Sequence, residues 1–83
     1  MTFEVIFDEK AIDFLNGLPK EMKERIFNKI IAAKEHPHHF LKRLVGRNDY
    51  KLRVGDYRII VDLNLLEKMM KVTLIEHRSV VYD

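Results

Sequence analysis

The first part of the chain alternates between apolar and polar residues. Phe3, Val5 and Phe7 fall at every second position, so the pattern predicts a short strand with these three side chains on one face. Asp8 follows directly. Its side-chain oxygen is expected to cap a helix that begins near Glu9.

Apolar residues then recur at helical spacing in two stripes. The first stripe is Ala11, Phe14, Leu15 and Leu18, and the second is Met22, Ile26, Ile30 and Ala33, widened by Phe27 and Ile31. The break Gly17-Leu18-Pro19 separates them, and Pro19 can start a second helix, expected from Lys20 to about Glu35. His36-Pro37 ends that helix because proline disfavours helical geometry in the preceding residue. Two stripes joined by a tight break predict an antiparallel helical hairpin.

The pattern changes to period two after a linker of roughly ten residues. Tyr50, Leu52 and Val54 alternate with cations, Gly55-Asp56 supplies a turn, and residues 57–63 form a nearly continuous apolar segment. These features predict a β-hairpin.

A second connection is expected over residues 64–68, followed by a strand from Met70 to His77, and Val80-Val81-Tyr82 is expected to end the sheet. The predicted class is α+β: an N-terminal strand, an antiparallel helical hairpin and then an antiparallel β-meander. If the helices cover one face of the sheet, the other face or its rim remains for function.

Length and composition narrow the class of protein. The 83 residues, with no repeat or flexible linker, predict a single domain over residues 1–83. Cysteine is absent, which removes disulfides, thiolate ligands and a cysteine nucleophile. No apolar run is long enough for a membrane span and the N-terminus lacks the plan of a signal peptide, so we expect a cytoplasmic protein without a membrane partner.

The positive charge is concentrated in one part of the chain. Residues 1–41 have a net charge of −1, residues 42–58 of +4 and residues 59–83 of −1. A local excess of this kind attracts phosphate, although an ordinary basic surface is the alternative. The basic residues of this segment that we assign to RNA binding are Lys42, Arg43 and Arg47.

Candidate chemistry lies on the predicted strands. Lys51 and Arg53 are two residues apart and therefore leave the same face of a strand, while Arg58 lies just across the turn. A neighbouring strand would bring Arg78 to the same concave area. RNA can be cleaved without metal when its own 2′-hydroxyl attacks the adjacent phosphorus, and clustered cations can stabilise the charge that develops there.

Each candidate also has a structural explanation. Lys51 and Arg53 could serve solubility and protect an edge strand. Arg58 interrupts an apolar strand, so a salt bridge to Asp56 or Asp62 would explain it.

The aromatic and histidine candidates are equally open. Tyr82 is either a core or edge aromatic or a stacking platform for a base. His77 is either a neutral base or a structural histidine. The group His36, His38 and His39 is better explained as a solvated loop than as a zinc site, since no cysteine accompanies it. The sequence shows no Ser–His–Asp spacing, no paired catalytic carboxylates and no glycine-rich phosphate loop.

Several segments together resemble the RelE branch of the RelE/ParE toxins in order and spacing. They are Leu18-Pro19-Lys20, Leu44-Val45-Gly46, the block from Tyr50 to Arg58, and His77-Arg78 with Tyr82. The similarity covers nearly the whole chain, and its most specific part is Val54-Gly55-Asp56-Tyr57-Arg58-Ile59-Ile60.

The resemblance implies a metal-independent, cofactor-free ribonuclease with a microbial-ribonuclease-like fold. Such a toxin is held inactive by a cognate RelB-like antitoxin and, when released, cleaves mRNA in the ribosomal A site. Operator DNA would be bound only through the antitoxin complex. Matching by motif implies a site made of Lys51, Arg53, Arg58, Arg78 and Tyr82.

One residue departs from the family pattern. Arg53 stands where the well-studied branch has a second lysine, and arginine is a poor general base because it stays protonated in proteins. Lys51 or His77 must then take the proton. Two alternatives remain open: a ParE-like inhibitor of DNA gyrase, and a catalytically degenerate relative that only binds antitoxin and operator DNA.

Apolar residues in and directly after the second connection offer a surface on which an antitoxin could bind. Leu65, Leu66, Met69 and Met70 could receive a partner helix, although core packing is the alternative for at least two of them.

Overall fold

The helices and strands follow one another in the predicted order. The computed structural model describes residues 2–44, 46 and 49–80, the last of these by its backbone only. The elements are β1 (Glu4–Phe7), α1 (Glu9–Asn16), α2 (Lys20–Glu35), α3 (Pro37–Phe40), β2 (Lys42–Arg43), β3 (Asp49–Val54), β4 (Tyr57–Asn64), β5 (Met69–His77) and a 3₁₀ turn (Arg78–Val80). The predicted α+β class is confirmed.

The strands form one mixed sheet of 5 strands in the order β1-β5-β4-β3-β2. β1 runs parallel to β5, and the other neighbouring pairs are antiparallel. A parallel neighbour needs a long crossover, and here the helices and the rest of the meander lie between β1 and β5. The predicted hairpin of β3 and β4 is confirmed, with Val54 opposite Tyr57 across the turn.

The core lies between the helices and one face of the sheet. It consists of Ala11 and Leu15 from α1, Ile26, Ile30 and Ala33 from α2, and Phe3, Leu52, Val54, Ile59, Val61, Met70, Val72 and Ile75 from the sheet and the residue before it. The two predicted apolar stripes therefore serve as the surfaces that pack on the sheet. Met70, one of the four residues considered for a partner, is fully buried, whereas Leu66 is 97% exposed.

The turn between β3 and β4 depends on a glycine. Gly55 has a φ of 58°, a backbone conformation that is sterically unfavourable for residues with a Cβ. A Cβ at this position would also lie 3.4 Å from the guanidinium nitrogens of Arg25. The glycine thus permits the short turn that sets Arg53 opposite Arg58.

The expected cap of α1 is wrong. Asp8 stands at the N-cap position, but its side chain makes no capping hydrogen bond. Its Oδ1 lies instead 3.2 Å from Nζ of Lys71 on β5. An ion pair to the neighbouring strand has therefore replaced the local interaction.

Other differences concern short elements and exposed residues. Phe27 is 44% exposed and so does not widen the buried stripe of α2. The linker predicted after His36 contains α3 and β2. At the C-terminal end, Val80 belongs to the 3₁₀ turn rather than to a strand, while Val81 and Tyr82 lie outside the described residues.

We expect Ile30→Ala to lower the free energy of unfolding by about 2–5 kcal/mol, because it removes a fully buried side chain and leaves a cavity between α2 and the sheet. Urea denaturation measures this change. Leu66→Ala is the control and should change stability by less than about 0.5 kcal/mol. Equal losses in the two variants would contradict the described core.

Candidate functional site

The face of the sheet opposite the helices carries most of the candidate cations. We call it the open face. Strand alternation and cross-strand pairing show that its members include Ile6, Lys42, Asp49, Lys51, Arg53, Arg58, Ile60, Asp62, Lys71, Leu74 and Glu76. Leu52 and Val54 point into the core, so Lys51 and Arg53 point away from it. The prediction that these two share one face with Arg58 is confirmed.

Two cross-strand pairs on this face join two cations each, and a third, Asp49 opposite Asp62, joins two carboxylates. Lys42 lies opposite Lys51, and Arg53 lies opposite Arg58. Side chains directly opposite in an antiparallel pair have Cβ atoms about 5 Å apart, and like charges at this distance destabilise the sheet. Such an arrangement favours binding of an anion or requires an internal counter-charge.

Arg58 has an internal counter-charge in Glu76. Its Nε and Nη2 donate hydrogen bonds to Oε1 of Glu76, at 3.0 and 2.7 Å. The two side chains are 36% and 20% exposed, respectively, so the pair is half-buried. The predicted structural explanation of Arg58 was a salt bridge, but its partner is neither Asp56 nor Asp62.

Arg78 lies at the end of the sheet where β3 turns into β4. Its backbone N–H donates to the carbonyl oxygen of Asp56 at 2.7 Å, and its Nη1 lies 3.6 Å from the Asp56 carboxylate. Both side chains of this ion pair are well exposed. Arg78 therefore reaches the turn that follows Arg53 and precedes Arg58.

His77 lies on the other face. It pairs with Tyr57, and the two rings make an edge contact with centroids 4.9 Å apart. The Tyr57 ring in turn contacts Phe14 of α1, so both aromatic groups belong to the helix side of the sheet. Nδ1 of His77 accepts a hydrogen bond from the backbone N–H of Ser79 at 3.1 Å. The structure does not bring His77 to the cations of the open face.

Of the three predicted RNA-binding residues, Lys42 and Arg43 lie on opposite faces of β2. Lys42 is exposed on the open face beside Lys51. Arg43 pairs with Tyr50 and lines a depression of about 460 Å³ together with Leu65 and Leu66. Arg47 and the candidate Tyr82 lie outside the described residues.

The histidine group follows α2 and enters α3. His36 links the two helices, and the His39 ring contacts Phe40 edge to face. Over residues 2–44, 46 and 49–80 there is no group of three or more side chains that could hold a metal ion. No helix in this part of the chain is long and apolar enough to cross a membrane.

Sequence reasoning missed Glu76. A β-bulge in β5 shifts the register between Ile60 and Val61 by one residue: Val61 pairs with Val72, but Ile60 pairs with Leu74. The extra residue is Thr73, whose hydroxyl donates to the Ile60 carbonyl at 3.2 Å. Counting without the bulge places Ile75 opposite Arg58, so only a bulge signal could have found Glu76.

Comparison with solved structures identifies RelE toxins in toxin–antitoxin complexes. The RelE–RelB complex of Pyrococcus horikoshii OT3 is 26% identical, with a TM-score of 0.81 over 98% of this chain and 100% of that chain. The RelB–RelE complex of Methanococcus jannaschii is 25% identical, with a TM-score of 0.75 over 94% and 95%. The RelBE2 complex of Mycobacterium tuberculosis gives a TM-score of 0.82 at 18% identity, over 94% and 100%.

No protein-family profile and no curated protein sequence matches the chain. The solved structures nevertheless match the fold over 94% and 98% of this chain, and the fold defines the class: the chain has the fold of RelE toxins. The resemblance that the β3–β4 hairpin predicted is confirmed.

The two arginine ion pairs should differ in strength. A double-mutant cycle of Arg58→Ala and Glu76→Ala is expected to give a coupling of about 1 kcal/mol, because the pair is half-buried and doubly hydrogen-bonded. The cycle of Arg78→Ala and Asp56→Ala should give less than about 0.5 kcal/mol, because that pair is exposed. Urea denaturation measures both, and equal couplings would contradict this ranking.

Proposed function

We propose that the chain is the toxin of a type II toxin–antitoxin system and that it cleaves mRNA in the ribosome without a metal ion. The observation that carries the proposal is the set of cations on the open face of a RelE-type fold. Lys51, Arg53 and Arg58 lie on adjacent positions of two paired strands. A surface of this kind suits a phosphodiester, which lies between them as a shared counter-charge.

The proposed reaction is attack by the RNA 2′-hydroxyl on the adjacent phosphorus. Negative charge increases on the phosphoryl oxygens in the transition state, and fixed cations stabilise it there more than in the ground state. Arg53 and Arg58 suit this task because a guanidinium remains protonated and presents planar donors to phosphate. Lys51 is the neighbouring cation on β3, diagonal to Arg58.

The proposed reaction also requires a group that protonates the leaving 5′-oxygen. The family resemblance assigns it to Arg78, with Tyr82 close behind. Arg78 is exposed and reaches the β3–β4 turn, at the same end of the sheet as Arg53. At this position Arg78 can contact the leaving nucleotide.

A RelB-like antitoxin is the proposed partner. The solved structures of P. horikoshii and M. jannaschii, which are 26% and 25% identical to this chain, are RelE complexes with RelB. Ile6 and Leu74 on the open face and Leu65 and Leu66 in the β4–β5 turn are exposed apolar residues that such a partner could cover. An acidic or apolar segment laid across the open face would exclude RNA. Operator DNA would then be bound only through this complex.

Arg58→Ala should reduce cleavage of a ribosome-bound mRNA by about 10²–10³-fold, because one group that stabilises the transition-state charge is lost. The assay uses purified protein, ribosomes programmed with a defined codon in the A site, and primer extension across the message. The matched control is Lys10→Ala, which removes an exposed cation from α1.

The same assay separates the alternatives. Full cleavage by Arg58→Ala would show that Arg58 does not stabilise the phosphate in the transition state. Inhibition of gyrase supercoiling with intact mRNA would instead indicate a ParE-like inhibitor. Antitoxin binding with neither activity would indicate a degenerate relative.

Binding of an uncleavable RNA should depend on salt through the same cations. The RNA carries a 2′-deoxy substitution at the cut site, which prevents cleavage. Lys51→Ala should bind this RNA more weakly and should reduce the slope of log K against log salt concentration by about 0.7, because one phosphate contact is lost. Fluorescence anisotropy at several salt concentrations measures the slope. An unchanged slope in Lys51→Ala would show that this lysine does not contact the backbone.

A further inference from the structure

The proposed reaction needs a group that takes the proton from the 2′-hydroxyl, and most candidates on the open face cannot do so. Arg53 and Arg58 are guanidinium groups and have no acceptor. Lys51 carries three donors and accepts only after it has lost a proton itself. His77, the other predicted base, lies on the helix side of the sheet with Tyr57.

Glu76 is the carboxylate that belongs to the arginine row of the open face. It lies opposite Arg58, which lies opposite Arg53, so three neighbouring strands contribute one side chain each. The charged groups that face Glu76 are thus Arg58 on β4 and, beyond it, Arg53 on β3. On its own strand the next residue of the open face is Leu74, and Arg78 follows two positions later.

The hydrogen bonds of Glu76 leave one oxygen available. Both bonds from Arg58 go to Oε1, and among the described residues Oε2 has no hydrogen-bond partner. The side chain is 20% exposed, so the carboxylate is held in place yet can still be reached from solvent. Arg58 uses only two of its five N–H donors in this contact, so the others can bind a phosphate at the same time.

We infer that Glu76 is the proton acceptor for the 2′-hydroxyl, with Oε2 as the accepting atom and Arg58 as the group that orients it. The inference rests on the proposed function, because it assigns a role within that reaction. A carboxylate is an acceptor without prior loss of a proton, which none of the neighbouring cations is. A nucleotide whose phosphate contacts the free N–H groups of Arg58 would have its adjacent 2′-hydroxyl near the same row.

The step balances without a further reactant. The 2′-hydroxyl proton passes to Oε2 of Glu76, and the 2′-oxygen forms a bond to phosphorus. The bond between phosphorus and the 5′-oxygen breaks, its electron pair stays on the 5′-oxygen, and this oxygen takes a proton from the general acid or from water. The products are a 2′,3′-cyclic phosphate and a 5′-hydroxyl, and Glu76 returns its proton to solvent.

The test compares Glu76→Gln with the wild-type chain and with a control, Asp62→Asn. The control removes an exposed carboxylate of β4 that lies on the open face, as Glu76 does. Glutamine keeps the size of the side chain and an oxygen that can accept from Arg58, but it is no base. Single-turnover cleavage of the A-site codon should fall about 10²–10⁴-fold in Glu76→Gln, and the acidic limb of its pH–rate profile should disappear. Binding of the 2′-deoxy RNA and the rate of Asp62→Asn should stay within about twofold of wild type.

Other outcomes overturn the inference in recognisable ways. Unchanged or faster cleavage by Glu76→Gln would show that the carboxylate only neutralises Arg58. Equal losses of cleavage and of 2′-deoxy RNA binding, with the acidic limb kept, would show that it acts only by positioning Arg58. If Glu76→Gln does not fold, judged by thermal melting, Glu76→Asp takes its place: loss of the acidic limb in this variant, which keeps a carboxylate, would overturn the assignment.

The wild-type measurement keeps the two proposals distinguishable. Absence of cleavage by the wild-type chain would refute the proposed function itself, and with it the role of Glu76. Cleavage by the wild type together with full activity of Glu76→Gln would refute only the role of Glu76.

Discussion

The composition of the open face depends on one irregularity in the pairing of β4 with β5. Thr73 is the extra residue of a β-bulge, and its hydroxyl donates to the carbonyl oxygen of Ile60 on the neighbouring strand. Because side chains alternate along a strand, one inserted residue exchanges the faces of all residues that follow it. The bulge therefore places Ile75 in the core and Glu76 beside Arg58, and it turns His77 toward Tyr57.

This placement couples the core to the proposed chemistry. Ile75 and Ile59 are buried against the helices, so the backbone that carries Glu76 and Arg58 is fixed by packing on the opposite side of the sheet. The guanidinium and carboxylate are then oriented by rigid strands rather than by a loop. Held in this way, the groups would need little reorganisation when a phosphate binds, which is the condition for strong electrostatic stabilisation.

The sequence predicts those features that arise from local patterns. The two helical stripes, the break at Pro19 and the hairpin around Gly55 depend on residues near one another, and the structure contains all three. Pairing between strands depends on register, which local patterns do not determine. The expectations for His77 and for the partner of Arg58 differ from the structure for this reason. The bulge in β5 turns His77 to the helix side and places Glu76 beside Arg58, whereas the expected partners, Asp56 and Asp62, are close to Arg58 in the sequence. The cap expected from Asp8 fails similarly, because Lys71 on another strand competes for its carboxylate.

The arginine at position 53 and the glutamate at position 76 can be understood together. Two guanidinium groups opposite each other repel, and a carboxylate at the end of the row offsets that repulsion in the absence of RNA. A phosphate that arrives does not have to displace the carboxylate, because Arg58 retains N–H donors that Glu76 does not use. The same pair can therefore stabilise the sheet before RNA binds and, in the proposed reaction, bring a cation to the phosphate and an acceptor to the 2′-hydroxyl. A lysine at position 53 would not be required as a base in such an arrangement.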